Sequence, residues 1–112
     1  MKVNHYLETG GTEEVPGVLC RVVIGPEDGA PRFTMRLFEV RPGGSTPFHS
    51  HWWEHEVFIL SGEGTVKGKG EEKAIGTGTV VFIAPDEEHC LVNNGKEILR
   101  FICVIPLTDA AP

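Results

Sequence analysis

The stretch His49-Ser50-His51-Trp52-Trp53-Glu54-His55-Glu56 (HSHWWEHE) carries three of the five histidines in this 112-residue chain. Its conformation decides what the chain can be. On a helix, His51 and His55 would stand one turn apart on a shared face. On extended backbone, alternate residues share a face. That groups His49, His51, Trp53 and His55 and sends Glu54 and Glu56 to the other side. The preceding run Arg41-Pro42-Gly43-Gly44-Ser45-Thr46-Pro47-Phe48 favours turn and extended chain and opposes a helix start. The extended reading stands, and the segments on either side agree with it.

Upstream, VLCRVVIG (18–25) and RFTMRLFEVRP (32–42) are apolar or alternating and rich in Val, Ile and Phe, the composition of strands. Downstream, HEVFILSGEGTVKGKG (55–70) reads as two strand pieces joined through Gly62 and Gly64. EEKAIGTGTVVFIAPDEEH (71–89) gives a polar edge and then a strand at Val80–Ile83 that enters a turn at Pro85-Asp86. CLVNNGKEILRFICVIP (90–106) reads as strand, turn and strand, with Asn94-Gly95 as a hairpin signal. Eight or nine short strands leave no room for crossover helices. The expected fold class is all-β and antiparallel, either a sandwich or a closed barrel, in one domain. Residues 1–17 are weakly patterned and read as an N-terminal arm, 18–106 as the barrel and 107–112 as a C-terminal tail.

The net charge of −6 argues against nucleic acid or an anionic membrane surface as partner, since both select basic patches. No basic-then-apolar leader and no long apolar run is visible, so neither a signal peptide nor a membrane span is expected. Cys20, Cys90 and Cys103 are odd in number, far apart and set among apolar residues. They read as reduced thiols of a cytoplasmic protein and not as a disulfide framework or thiolate zinc site.

Imidazole ligates Zn, Cu, Fe and Ni, and Mn alongside harder ligands. Two histidines at i and i+2 on the inner face of a small barrel can converge on one ion. His89 supports them: it follows the Pro85 turn and opens the next strand, where its side chain can be aimed inward, while Cys90 has the opposite parity. His5 reads as a satisfied or solvated side chain. Glu54 and Glu56 read as surface groups or as partners of a ligand N–H.

With these blocks in place the chain resembles the cupin superfamily. The first cupin motif runs Gly, five residues, His-x-His, three or four residues, Glu, six residues, Gly. Gly43, His49, His51 and Gly62 match it. Counting back from Gly62 places His55, not Glu56, at the glutamate position, in agreement with the strand parity. The second motif runs Gly, five residues, Pro-x-Gly, two residues, His, three residues, Asn. Gly78, His89 and Asn93 match it, whereas Ala84 and Asp86 replace the motif's Pro and Gly and Pro85 lies between them. MRLFEVRPGG, HSHWWEHEVFIL and RFICVIP look like the small single-domain cupins with a four-histidine site, some of which bind manganese.

The resemblance implies a conical barrel (a double-stranded β-helix, or jelly roll) with a metal in its mouth held by His49, His51, His55 and His89. Manganese is the first choice, with iron, copper, nickel or zinc as alternatives. It also implies a homodimer built by exchanging N-terminal strands, and oxygen-dependent chemistry as one common use. Four neutral ligands would leave a divalent ion at its full +2 charge, a stronger Lewis acid than a three-His, one-Glu site provides. The leading expectation is a dioxygenase-like oxidoreductase acting on a small organic substrate with O₂. A non-catalytic sensor or storage cupin and a metal-dependent isomerase are the alternatives. Arg36, Trp53, Phe101 and Cys103 are the pocket candidates. Either Met35 or Arg36 faces inward, depending on strand phase, and an inward Arg36 calls for a partner such as a substrate carboxylate.

Overall fold

The computed structural model describes residues 1–107, and the expected tail therefore lies almost wholly outside the described residues. Nine strands are present among them: β1 (Thr12–Val15), β2 (Val18–Ile24), β3 (Phe33–Val40), β4 (His55–Ser61), β5 (Glu63–Gly68), β6 (Glu71–Gly76), β7 (Val80–Ile83), β8 (His89–Val92) and β9 (Leu99–Pro106). They build a six-stranded sheet in the order β1-β2-β3-β9-β4-β7 and a three-stranded sheet in the order β6-β5-β8. Every pairing is antiparallel. The fold is the all-β jelly roll expected of a cupin.

Alternation explains the core. Along β4, His55, Val57 and Ile59 are buried while Glu56, Phe58 and Leu60 are exposed. Along β9, Leu99, Phe101, Cys103 and Ile105 all turn inward. Together with Val18, Val40, Ile83 and Leu91 they form one continuous apolar cluster between the two sheets. Period-two burial of this kind removes one face of each strand from water and fixes its register.

Two chain reversals position everything else. Between β4 and β5 the chain leaves the large sheet for the small one at Gly62, whose φ is +92°. A Cβ there would stand 2.6 Å from the Ile98 carbonyl oxygen and 2.8 Å from Leu99 Cα. Both the dihedral and the close backbone approach demand glycine.

Asn94-Gly95 does not make the expected hairpin. β8 pairs with β5 and β9 lies between β3 and β4, so the connection between β8 and β9 crosses from one sheet to the other. Neither residue has the positive φ that a type I′ turn needs at both central positions. The corner is organised by Asn93 instead. Its fully buried side chain donates from Nδ2 to the carbonyls of Val40 and Glu97, both at 2.8 Å, and accepts the Gly95 N–H at Oδ1.

β1 is the edge of the large sheet, paired with β2, after a short 3₁₀ turn at Tyr6–Glu8 capped by the His5 side chain. Among the described residues no helix is long and apolar enough to cross a membrane.

Candidate metal centre

The loop from Gly43 to Glu54 lays part of its length along β8. Gly43, Thr46 and His49 donate backbone N–H groups to the carbonyls of Asn93, Leu91 and His89, and His89 returns one to His49. The Thr46 hydroxyl accepts the Leu91 N–H as well. His49 and His89 thus form a hydrogen-bonded antiparallel pair, and residues directly opposite in such a pair project to the same face. This pairing brings the two histidine blocks of the sequence together.

The alternation expected for 49–55 is present although most of the segment is loop. His51 is half-buried, Trp53 and His55 are buried, and Ser50, Trp52 and Glu54 are exposed. The ligating atoms of His49, His51 and His89 all lie within 4.8 Å of one another. His49 Nε2 and His51 Nε2 are 3.1 Å apart, close to the separation of about 3.0 Å set by two cis ligands roughly 2.1 Å from one ion. His89 Nδ1 stands 2.8 Å from the Glu87 carbonyl oxygen. That oxygen can only accept, so Nδ1 carries the proton and Nε2 keeps its lone pair, the usual support of a metal-binding histidine.

His55 stands beside this group of three. It is not within the tight group of three, but its ring centroid lies 4.8 Å from that of His89 and 5.4 Å from that of His51. Its Nδ1 is 3.1 Å from Cys103 Sγ, and its Nε2 is buried with no hydrogen-bond partner. A buried ring nitrogen without a partner carries a desolvation cost that a bound ion would remove. On this test the residues present fit a divalent metal ion.

The electrostatics favour neutral imidazoles. Burial, followed by His49 and His89 and then Arg36, pushes His51 down to about 4. Burial, followed by His89 and Arg36, pushes His55 down to about 3. His49 is lowered for the same first reason. The metal-free protein is therefore expected to be acid-sensitive in a defined window. Its stability is complete above about pH 6.5, where unfolded histidines are also neutral, and falls with pH toward the folded values, because the unfolded chain takes up protons first. Thermal melts of chelator-treated protein should fall by several degrees between about pH 7 and pH 5. Bound metal should raise the melting temperature at each pH without removing the fall, because the unfolded chain still takes up protons that metal-bound ring nitrogens exclude. Glu39 titrates lower: Arg100 and Arg21 hold its carboxyl below the ordinary value against the raising effect of burial, so its contribution lies outside this window.

The pocket candidates separate. Arg36, Phe101 and Cys103 line a cavity of about 60 Å³ that also contains all four histidines, with Glu14, Thr46 and the apolar Phe38, Val57, Ile83 and Leu91. It has room for a ligand matching about four or five waters. The phase left open by the sequence is settled: Arg36, not Met35, faces inward. Trp53 does not line the cavity. It is buried behind the cluster, its ring stacked on His51 at 4.3 Å and 5°, where it fixes the imidazole plane. Glu54 and Glu56 are exposed, and the hydrogen bond from Glu54 raises the Glu56 carboxyl.

Glu14 was not singled out by the sequence. It sits on β1 within the weakly patterned arm, where only a strand reading of Thr12–Val15 would have put it on a definite face.

Cys103 fixes His55. If His55 presents Nε2 to an ion, its Nδ1 carries the proton and donates to Cys103 Sγ. Cys103→Ala should free the ring and weaken metal binding by about ten- to a hundredfold, as loss of such supporting partners does. Metal titration with a chromogenic chelator would read it.

Comparison with known proteins places this architecture. Residues 36–105 match the cupin domain family, and the chain belongs to that family. An oxalate-binding protein of Thermotoga maritima is 38% identical over 76 residues, covering 64% of this chain and 63% of that protein. A mannose-1-phosphate guanylyltransferase of Escherichia coli is 38% identical over 99 residues, but these are 20% of its length. The chain thus spans less than two thirds of these curated relatives. Among solved structures, the polyketide cyclase RemF from Streptomyces resistomycificus superposes with a TM-score of 0.88 at 35% identity, covering 96% of this chain and 80% of that one. A Thermotoga maritima protein described as a predicted oxalate decarboxylase gives 0.81 at 27% identity, covering 96% and 100%.

Proposed function

We propose that this cupin holds one divalent transition metal, manganese in the first instance, on His49, His51, His55 and His89, and acts on a small organic molecule as a dioxygenase-like oxidoreductase. The observation that carries the metal site is the convergence of three imidazole nitrogens within 4.8 Å beside the unpartnered Nε2 of His55. When bound, the ion would supply Lewis acidity and, if redox-active, electrons.

The chain's own residues do the rest. Phe38, Phe101, Val57, Ile83 and Leu91 line the cavity and exclude water around the ligand, which strengthens every electrostatic contact inside. Trp53 and Cys103 hold the rings of His51 and His55 in place. Among the described residues Glu14 is the single carboxylate lining the cavity and the group suited to accept a proton there.

A second reading rests on that carboxylate: Lewis-acid chemistry with Glu14 as base and no oxygen consumed, in keeping with the similarity to a polyketide cyclase. A third, a binding protein without turnover, draws on the similarity to an oxalate-binding protein.

One experiment separates the three. Untagged protein, purified without chelator, is assayed for metal and then offered a panel of small organic acids and phenols in an oxygen electrode, with the mixture followed by mass spectrometry. Metal-dependent oxygen uptake with substrate loss supports the lead. Substrate loss without oxygen uptake replaces it with the Lewis-acid reading, and ligand retained unchanged replaces it with the binder. The same reading includes a homodimer in a reducing compartment. Exposed Phe58, Val80 and Phe82 on neighbouring strands β4 and β7 support a protein partner surface, and light scattering tests it.

A further inference from the structure

Arg36 is 5% exposed and, among the described residues, the one buried arginine; it sits on β3 directly opposite Cys103 of β9. Its guanidinium carries a positive charge. The half-buried arginines have acidic partners: Arg21 and Arg100 both bond Glu39, at 3.1 and 2.8 Å. Among the described residues no carboxylate lies within ion-pair distance of Arg36. Its contacts are soft ones. Nη2 donates to Cys103 Sγ at 3.5 Å, Cζ lies 5.0 Å from the centre of the Phe38 ring, and Nε is buried without a partner. Phe38 in turn stacks on Phe101 at 5.0 Å and 12°. A cation placed this way is oriented by aromatic and sulfur contacts and lacks a counter-ion.

The cavity supplies the location for one. Arg36 lines it together with the four histidines, so an anion bound by the guanidinium lies beside the proposed metal. A planar carboxylate matches the guanidinium fork and would satisfy the orphaned Nε–H, which a neutral ligand does only in part. Glu14, also on the lining, disfavours further negative charge near it. These constraints select a small acid with its carboxylate on Arg36 and a second oxygen directed at the histidines.

We infer that Arg36 forms a carboxylate-binding subsite, so that the ligand of this cupin is a small organic acid of a few heavy atoms. This inference rests on the cavity being the ligand site but not on the identity of the metal. The test uses calorimetric titration of metal-loaded and chelator-stripped protein with acetate, oxalate and benzoate, each against its neutral amide. The variants are Arg36→Lys and Arg36→Met, with metal content measured in parallel.

Binding of at least one acid in preference to its amide, weakened about ten- to a hundredfold in Arg36→Met and partly restored by Arg36→Lys, is the expected result. Metal content should be unchanged in both variants. Retention of the preference by stripped wild-type protein would support the subsite even if the metal reading failed. Acids bound equally well by both variants, or no preference for acid over amide in either form, would overturn it. If Arg36→Met does not fold, Arg36→Lys decides: the same affinity as wild type for acid and amide alike refutes the subsite, and a selective loss for the acid upholds it.

Discussion

Replacing His89 with alanine is expected to abolish stoichiometric metal binding, with affinity falling by more than about a hundredfold, beyond the loss seen when only a supporting partner is removed. The position justifies that size. His89 lies between the other rings, its centroid 5.2 Å from His49, 6.0 Å from His51 and 4.8 Å from His55. Its free lone pair is set by the bond to the Glu87 carbonyl. The backbone pairing to His49 does not involve the side chain, so the fold should survive, and circular dichroism would check this. Elemental analysis of variants purified in parallel reads the outcome. Glu56→Ala is the matched control, because Glu56 is exposed and hydrogen-bonds Glu54, and should keep its metal. If Glu56→Ala lost the metal while His55→Ala retained it, the ligand assignment would be wrong.

The largest expected effect on stability is at Asn93. Alanine there leaves two carbonyls and one N–H without their side-chain partner, the Val40 carbonyl buried and the Glu97 carbonyl and Gly95 N–H part-buried. A stranded buried group costs about 1–3 kcal/mol, and the two part-buried ones fall at the low end of that range, so the sum is on the order of 3–5 kcal/mol against a typical total of about 5–15. For a domain of this size that corresponds to a fall in melting temperature of very roughly 15 °C or more. Asn93→Asp restores the acceptor for Gly95 but neither donor, and places a carboxylate against two carbonyl oxygens, so it should be no better than alanine. Because the backbone of Asn93 also bonds Gly43 and Gly44 at the start of the histidine loop, the alanine variant should load metal poorly even where it remains folded. Differential scanning calorimetry with and without metal would separate the two effects.

The fold class was legible because burial follows period two through whole strands such as β4 and β9. The same rule held for His49 to His55, where backbone pairing with β8 keeps the start of a loop extended. The cupin motifs added Gly62 and Asn93, whose roles turn out to be steric and hydrogen-bonding. The motif's missing glycine is also explained: Asp86 takes a φ of +64° itself and donates its N–H to the His51 carbonyl, a conformation that Asp tolerates better than most residues.

Other features depended on partners remote in the chain. Asn94-Gly95 carries a hairpin signature, yet β9 finds β3 and β4 and not β8, because burying its apolar face in the larger sheet outweighs a local turn preference. The phase of Arg36, the place of Trp53 behind His51 and the approach of Glu14 to the cavity are all set by packing between strands that local sequence does not encode.

The cross-strand pair of His49 and His89 sets an order of events. Its members come from opposite ends of the β4–β8 region, so the four imidazoles meet only after the chain between them has folded and both sheets have closed. No short segment can gather the full set beforehand. The polypeptide should therefore reach its native topology without the ion and acquire it afterwards. Metal added at the start of refolding should leave the early rate unchanged and slow only the unfolding of the finished molecule, a division between synthesis and loading that would let the supply of metal in the surroundings decide which ion is installed.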